Sequence, residues 1–242
     1  MNSSFSKNLW RNRLFLGLGV YILLVLVSRQ LGGFLGGYYS PTASPSYLSI
    51  GIFSLGWFAV AMICSRLLLG KSFTPEPKLL YMYISMMALI GPVGEVFVNS
   101  VSRLLFGGSL WTYFLYPIHG GDTSLYSALF IWPYYGMYLY FLHQKIEINH
   151  TEKGYYIKPA LFMAFDAITL EFLVNITSIF LLHTLIFYYF PSDVAHLTTI
   201  AAIPFYFLAG IIITRTIKRF RVDPVFFGTM SLLIAFVFVF LV

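Results

Sequence analysis

Seven apolar stretches, at 14–35, 46–69, 79–105, 124–143, 159–190, 196–214 and 225–242, take up most of the chain. A helix needs about 20 such residues to cross the hydrocarbon of a bilayer. In that solvent every backbone N–H and C=O must find its partner inside the protein, so runs of this length are read as transmembrane helices. Composition agrees, with 59% hydrophobic residues, 10% charged residues and a mean hydropathy of +0.80, against roughly a quarter charged in a soluble domain. The expected fold is therefore all-α: a polytopic membrane bundle of about seven helices. Residues 1–242 would form one integral membrane domain, with no separate soluble domain.

The net charge of +6 does not point to nucleic acid, because the basic residues sit in short clusters between apolar runs. Lys7, Arg11 and Arg13 precede the first run; Arg66, Lys71 and Lys78 surround the second link; Lys145, Lys153 and Lys158 follow the fourth run; Arg215, Lys218, Arg219 and Arg221 follow the sixth. The alternate links, 36–45, 106–123 and 191–195, hold no Lys or Arg. This asymmetry predicts a cytoplasmic N-terminus and an outer C-terminus. The first run is long and shows no small-residue cleavage site before Gly32, so it reads as an uncleaved span, with a signal peptide as the alternative. Arg29 and Arg103 fall near outer span ends, where a long basic side chain either snorkels or pairs with an acid. Cys64, the one cysteine, lies in an apolar run and can form no disulfide within the chain.

Fixed-offset self-similarity organises the middle of the sequence. Residues 95–102 read EVFVNSVS and residues 171–178 read EFLVNITS, so Glu95, Val98, Asn99 and Ser102 match Glu171, Val174, Asn175 and Ser178 at an offset of 76. Trp111 and Tyr113 correspond to Phe187 and Tyr189 at that offset; after a five-residue deletion, Asp122, Pro133 and Tyr135 correspond to Asp193, Pro204 and Tyr206. The reading is a parallel internal repeat of two helical hairpins, unit A at about 79–143 and unit B at about 159–214. The helices at about 14–35, 46–69 and 225–242 are peripheral. Units separated by an even number of spans point the same way and are related by an axis along the membrane normal.

The pattern E-x3-N-x2-S puts Glu, Asn and Ser on one helical stripe. A carboxylate at membrane depth costs roughly 2.5–3.5 kcal/mol on insertion scales, so the two Glu are expected to face the bundle interior or each other. Asn and Ser alone would serve as interhelical glue, worth about 0.6 kcal/mol per hydrogen bond. The Glu pair reads instead as catalytic, Glu95 and Glu171 acting as acid and base. Asn99 and Asn175 would orient the carboxyls, and Ser102, Ser178, Trp111, Tyr113, Tyr189 and Asp166 complete a substrate-binding set. Asp166 aligns with Ile90 and so introduces asymmetry.

The order Glu95, Trp111, Tyr113, Pro117, Gly121, Ser127 and Trp132, with the run Pro133-Tyr134-Tyr135-Gly136, resembles the repeated unit of a bacterial membrane family labelled as ABC transporter permeases. Thr112 stands where that family commonly has an acid, and Phe187 replaces the Trp in the second unit. The resemblance implies a bacterial inner membrane and a permease role, although the chain has no G-x4-GK[ST] motif. The membrane Glu followed by an aromatic-x-Tyr loop is also similar to integral-membrane carotenoid hydratases and cyclases, which implies isoprenoid chemistry.

Metal binding and cofactors are not expected: no pair among His119, His143, His150, His183 and His196 has i, i+4 spacing. His119 and His196 read as outer-mouth residues. No G-x-S-x-G elbow and no D-x-x-x-D diphosphate site are present. The aromatic link 106–123 reads as an interfacial belt or as a lid over the polar stripe. Three functions stay open: an acid/base enzyme on a lipid-like or isoprenoid substrate (cyclase, hydratase or isomerase), a transporter or permease subunit coupling protons or cations through the Glu pair, and an assembly subunit. The partners expected are a membrane lipid or lipid-like molecule and other membrane subunits, with no nucleic acid.

Overall fold

The computed structural model describes residues 23, 27, 30, 34–39, 45–69, 75–146 and 154–240, without the side chains of 64–69, 145 and 146. Most of the first apolar stretch, Lys7, Arg11, Arg13, Arg29, Lys71, His150 and Lys153, and the side chains of Cys64, Arg66 and Lys145, lie outside the described residues. Among the described residues six α-helices form: α1 (Tyr47–Leu69), α2 (Pro77–Phe106), α3 (Trp132–Ile146), α4 (Ile157–Leu182), α5 (Ile203–Phe220) and α6 (Pro224–Phe240). Three segments, Pro77–Phe106, Ile157–Leu182 and Ile200–Phe220, are long and apolar enough to cross a membrane; Tyr47–Ile63 and Pro224–Phe240 are shorter apolar helices. Large apolar side chains such as Leu55, Phe97, Leu104 and Phe236 stand exposed on these helices, as a membrane-contacting surface requires.

Local chemistry sets the helix ends. α2 begins with Pro77, whose missing N–H costs nothing in the first turn. It stops at Gly107, which takes φ +79 and donates its N–H to the Arg103 carbonyl, the left-handed cap that glycine adopts without penalty. α4 stops the same way at His183, φ +55. The helices then pack through small residues: α3 lies on α2 and α5 lies on α4. A Cβ added at Gly136 would come 2.7 Å from the Tyr83 carbonyl, and one at Gly210 would come 2.5 Å from the Ala160 Cα. Such close backbone approach is how helices associate where lipid supplies no hydrophobic drive.

The links after α2 and α4 carry short strands, which amend the all-α expectation: β1 (Trp111–Tyr113), β2 (Pro117–Ile118), β3 (Thr123–Ser124) and β4 (Phe187–Tyr189). β1 pairs antiparallel with β4 in the register Trp111↔Tyr189, Thr112↔Tyr188, Tyr113↔Phe187, and β2 pairs with β3. The expected span 159–190 therefore ends at Leu182, and the span expected from 196 becomes α-helical only at Ile203. Residues 184–189 are apolar because they are buried at and beside the strand pair, not because they continue the helix. Leu185, Ile186, Phe187 and Tyr189 are all buried, and hydropathy alone does not separate these two causes. In the span expected at 124–143, a π-turn over Ser127–Ile131 leads into α3.

Candidate functional site

On α2, residues Glu95, Asn99 and Ser102 are all buried and lie along one face. The Asn99 amide oxygen accepts from the backbone N–H of Leu110 at 2.9 Å and Trp111 at 3.3 Å, while its Nδ2 donates to the Trp111 carbonyl at 3.0 Å and to Asp122 Oδ1 at 3.1 Å. Ser102 Oγ donates to the Gly108 carbonyl at 2.7 Å. These two side chains satisfy the backbone of the returning link and fold it over the end of the helix. Asn175 accepts from the N–H of Ile186 and Phe187 and donates to the carbonyls of Phe187 and Leu197. Ser178 donates to the Thr184 carbonyl at 2.9 Å. Neither Asn hydrogen-bonds to a Glu, so the expectation that they orient the carboxyls directly is corrected: they hold the strands, because strand backbone entering a buried site needs partners.

The strands in turn bring hydroxyls to the carboxyls. Tyr113, from β1, donates to Glu95 Oε1, and Thr123, from β3, donates to Glu95 Oε2. Ser127 Oγ donates to the same carboxyl at 3.0 and 3.2 Å, and the Trp132 indole N–H donates to Oε1 at 2.8 Å. At Glu171, which is partly buried, Tyr189 donates to Oε1 at 2.7 Å, Thr198 to Oε2 at 2.8 Å, and Tyr206 to Oε1. Asp166 accepts from the Tyr138 hydroxyl at 2.5 Å. In β1, burial first and the neighbouring Glu95 carboxylate second push the Tyr113 phenol well above its ordinary range. Tyr113 therefore stays a neutral donor.

Glu95, Asp166 and Glu171 line one cavity of about 630 Å³, and among the described residues that line it eleven are aromatic and none is Lys, Arg or His. Tyr113, Trp132, Tyr135 and Tyr206 are part of that wall. Asn99, Asn175, Ser102, Ser178, Trp111 and Tyr189 are not, so six of the ten residues named from the sequence support the wall from behind. Trp111 donates its indole N–H to the Asp122 carbonyl at 3.1 Å.

Arg103 pairs with Asp122 through both guanidinium arms, at 2.7 and 2.6 Å, on the outside of the same link. The link 106–123 dips inward, with Trp111, Tyr113 and Leu115 buried. Asp193 does not take Asp122's place beside Asn175. Its Oδ2 accepts from the Ile200 N–H, and the Leu197 carbonyl meets Asn175 instead. His119 meets the Phe238 carbonyl and His196 the Tyr189 carbonyl, and neither lines the cavity. Among the described residues no group of three or more His, Cys, Asp or Glu is placed to hold a metal ion.

Sequence reading overlooked Thr123 and Thr198, the Oε2 donors. They stand 75 residues apart rather than at 76 or at the offset that the five-residue deletion gives, and no motif singles out a threonine in an apolar loop. Comparison of the chain with protein families, curated proteins and solved structures found no match.

Proposed function

We propose that this chain is an acid/base enzyme of a bacterial inner membrane that acts on a lipid-like or isoprenoid substrate. The reading has seven spans, a cytoplasmic N-terminus and an outer C-terminus, and it treats 79–143 and 159–214 as a parallel duplication. Supporting the duplication, exchange of residue i with i+76 turns the bond Phe114 N–H to Ile186 C=O into Phe190 N–H to Leu110 C=O. It also turns the register pair Trp111↔Tyr189 into Phe187↔Tyr113. An antiparallel pair returns to itself in this way under a two-fold axis perpendicular to it.

The observation that carries the function is the shared cavity in which Glu95, Asp166 and Glu171 meet aromatic walls with no basic side chain among the described lining residues. One of Glu95 and Glu171, protonated, donates its proton to an alkene or carbonyl of the substrate. The positive charge that develops is stabilised by aromatic faces and the ionised carboxylates. The other carboxylate then takes a proton from a neighbouring carbon or from an added water, which leaves an isomerised, cyclised or hydrated product.

The test uses purified protein in lipid nanodiscs incubated with an isoprenoid extract and followed by mass spectrometry. The expected product has unchanged mass or has gained one water. Glu95→Gln and Glu171→Gln should each lower turnover by a factor of about 10² or more. Retained turnover in the double Gln variant would end the proposal. Proton uptake by vesicles that depends on the Glu pair, with the lipid unchanged, would mean coupled transport instead.

A further inference from the structure

Tyr135 lies in the wall of the cavity, is 8% exposed, and its hydroxyl has no hydrogen-bond partner among the described residues. This is unusual for a buried phenol, because such a group ordinarily finds a partner and its lack calls for a physical reason. The reason is legible in the duplication, on which this inference rests. Tyr135 follows Pro133 by two residues in α3 as Tyr206 follows Pro204 in α5, and Tyr206 spends its hydroxyl on Glu171. In the first unit the Trp132 indole fills the matching place at Oε1 of Glu95, so Tyr135 is released from it. Its ring stands instead in the cavity wall that also includes Asp166 and Glu171.

Asp166 is the other departure from symmetry, since Ile90 stands at its matched position. The hydrogen bonds to both Glu and to both returning links come from other residues, Asn, Ser, Thr and Tyr, with Trp132 in the first unit. Yet Tyr135, whose hydroxyl lacks the partner that its match Tyr206 has, and Asp166, whose match is Ile90, line the same cavity. Asp166 already accepts from Tyr138, and a carboxylate has room for further donors. Tyr135 has a donor to give. An acceptor-only group and an unused donor together fit a group that both donates and accepts, which in a lipid is a hydroxyl.

We propose that Tyr135 and Asp166 form the polar anchor of the cavity, holding a hydroxyl group of an otherwise apolar ligand: the ligand hydroxyl donates to Asp166 and accepts from Tyr135. The substrate class is thereby narrowed from isoprenoids in general to hydroxyl-bearing ones. The volume suits this, since cavities of about 300–1,000 Å³ hold ligands of that size. Engagement requires the Tyr135 side chain to turn toward the ligand. The anchored end faces the α3–α4 side of the cavity, and the aromatic remainder receives the chain.

The test compares two probes on the full-length protein in nanodiscs: geranylgeraniol, and the hydrocarbon with the same chain but no hydroxyl. Binding is followed through quenching of tryptophan emission and through the rise in unfolding temperature. The wild type should bind the alcohol about tenfold or more tighter than the hydrocarbon. Tyr135→Phe should lose that preference while the ligand-free protein unfolds at the same temperature or higher, because the substitution removes an unpartnered buried hydroxyl. Asp166→Asn should narrow the preference without abolishing hydrocarbon binding. Equal binding of both probes by the wild type, or a Tyr135→Phe protein that keeps the preference, would overturn this anchor and leave the acid/base proposal standing. Failure of both probes to bind would overturn both the anchor and the lipid-binding cavity.

Discussion

Gly91 stands one turn before Glu95 on α2, and a methyl group added there would come 2.0 Å from Cγ and 2.2 Å from Cδ2 of Trp132. These atoms form the root of the indole rather than its tip, so the ring must move bodily by about 1.5 Å to reach ordinary carbon contact. The 2.8 Å bond from Trp132 Nε1 to Glu95 Oε1 does not survive that shift. Overpacking costs about 1–3 kcal/mol, and losing a hydrogen bond to a charged acceptor costs about 1.5–3 kcal/mol. Alanine returns about 1 kcal/mol through its better helix propensity. Gly91→Ala should therefore destabilise the protein by about 1.5–5 kcal/mol. The measurement is SDS-driven unfolding in mixed micelles, followed by circular dichroism. Trp132→Phe supplies the control, because a phenyl ring is smaller and has no N–H. In the Phe background Gly91→Ala should cost less, with a coupling of about 1 kcal/mol or more. A Gly91→Ala protein within about 0.5 kcal/mol of wild type, or strict additivity with Trp132→Phe, would refute the claim that Gly91 exists to seat the indole on Glu95.

Asn99→Ala and Asn175→Ala should each lower the folded yield in fluorescence-detected size exclusion far more than either Glu→Gln substitution. Each strands buried backbone groups worth about 1–3 kcal/mol apiece. Single cysteines placed in 106–123 should react with a membrane-impermeant thiol reagent from outside and those in 145–158 should not; the opposite pattern would reverse the orientation. The raised Tyr113 phenol gives stability that is complete below the ordinary phenol range near 10 and falls as pH rises beyond it, because the unfolded chain releases that proton first. Thermal unfolding in alkaline buffer should show the decline in the wild type and a shallower one in Tyr113→Phe.

Among the described residues the apolar runs disclosed where helices lie, because hydropathy and length report the same physics that keeps a helix in lipid. They misplaced the ends at Leu182 and Ile203, since residues buried under a strand pair are as apolar as residues in a span. The polar stripe was legible for a related reason: Glu, Asn and Ser at i, i+4 and i+7 stand out against an apolar background. What the stripe does was only half legible. A period shows that Asn99 and Glu95 share a face, yet the partner of each comes from a link whose path the period does not encode. Asp166 and Tyr135 illustrate the remaining limit, because only the folded wall brings residues from α4 and α3 to one cavity.

The two carboxyls are matched in sequence but not in what their surroundings permit. Among the donors to Glu95, the Trp132 indole is a donor only, so it fixes Oε1 as an acceptor. A proton carried by Glu95 belongs on Oε2, where Thr123 and Ser127 can turn their hydroxyls to receive it. All three partners of Glu171 are hydroxyls from Tyr189, Tyr206 and Thr198. Each of these can reverse its role, so either oxygen of Glu171 can hold the proton. The same logic governs the amide test. Glutamine at 95 has one acceptable orientation, with its oxygen toward Trp132 and its amide toward Thr123. Glutamine at 171 has two. Both therefore keep their hydrogen bonds and leave the fold intact, while losing the proton that the proposed reaction moves. A loss of turnover in Glu95→Gln or Glu171→Gln thus reports charge and proton transfer, whereas damage to the scaffold is read from Asn99 and Asn175, which hydrogen-bond to neither carboxyl.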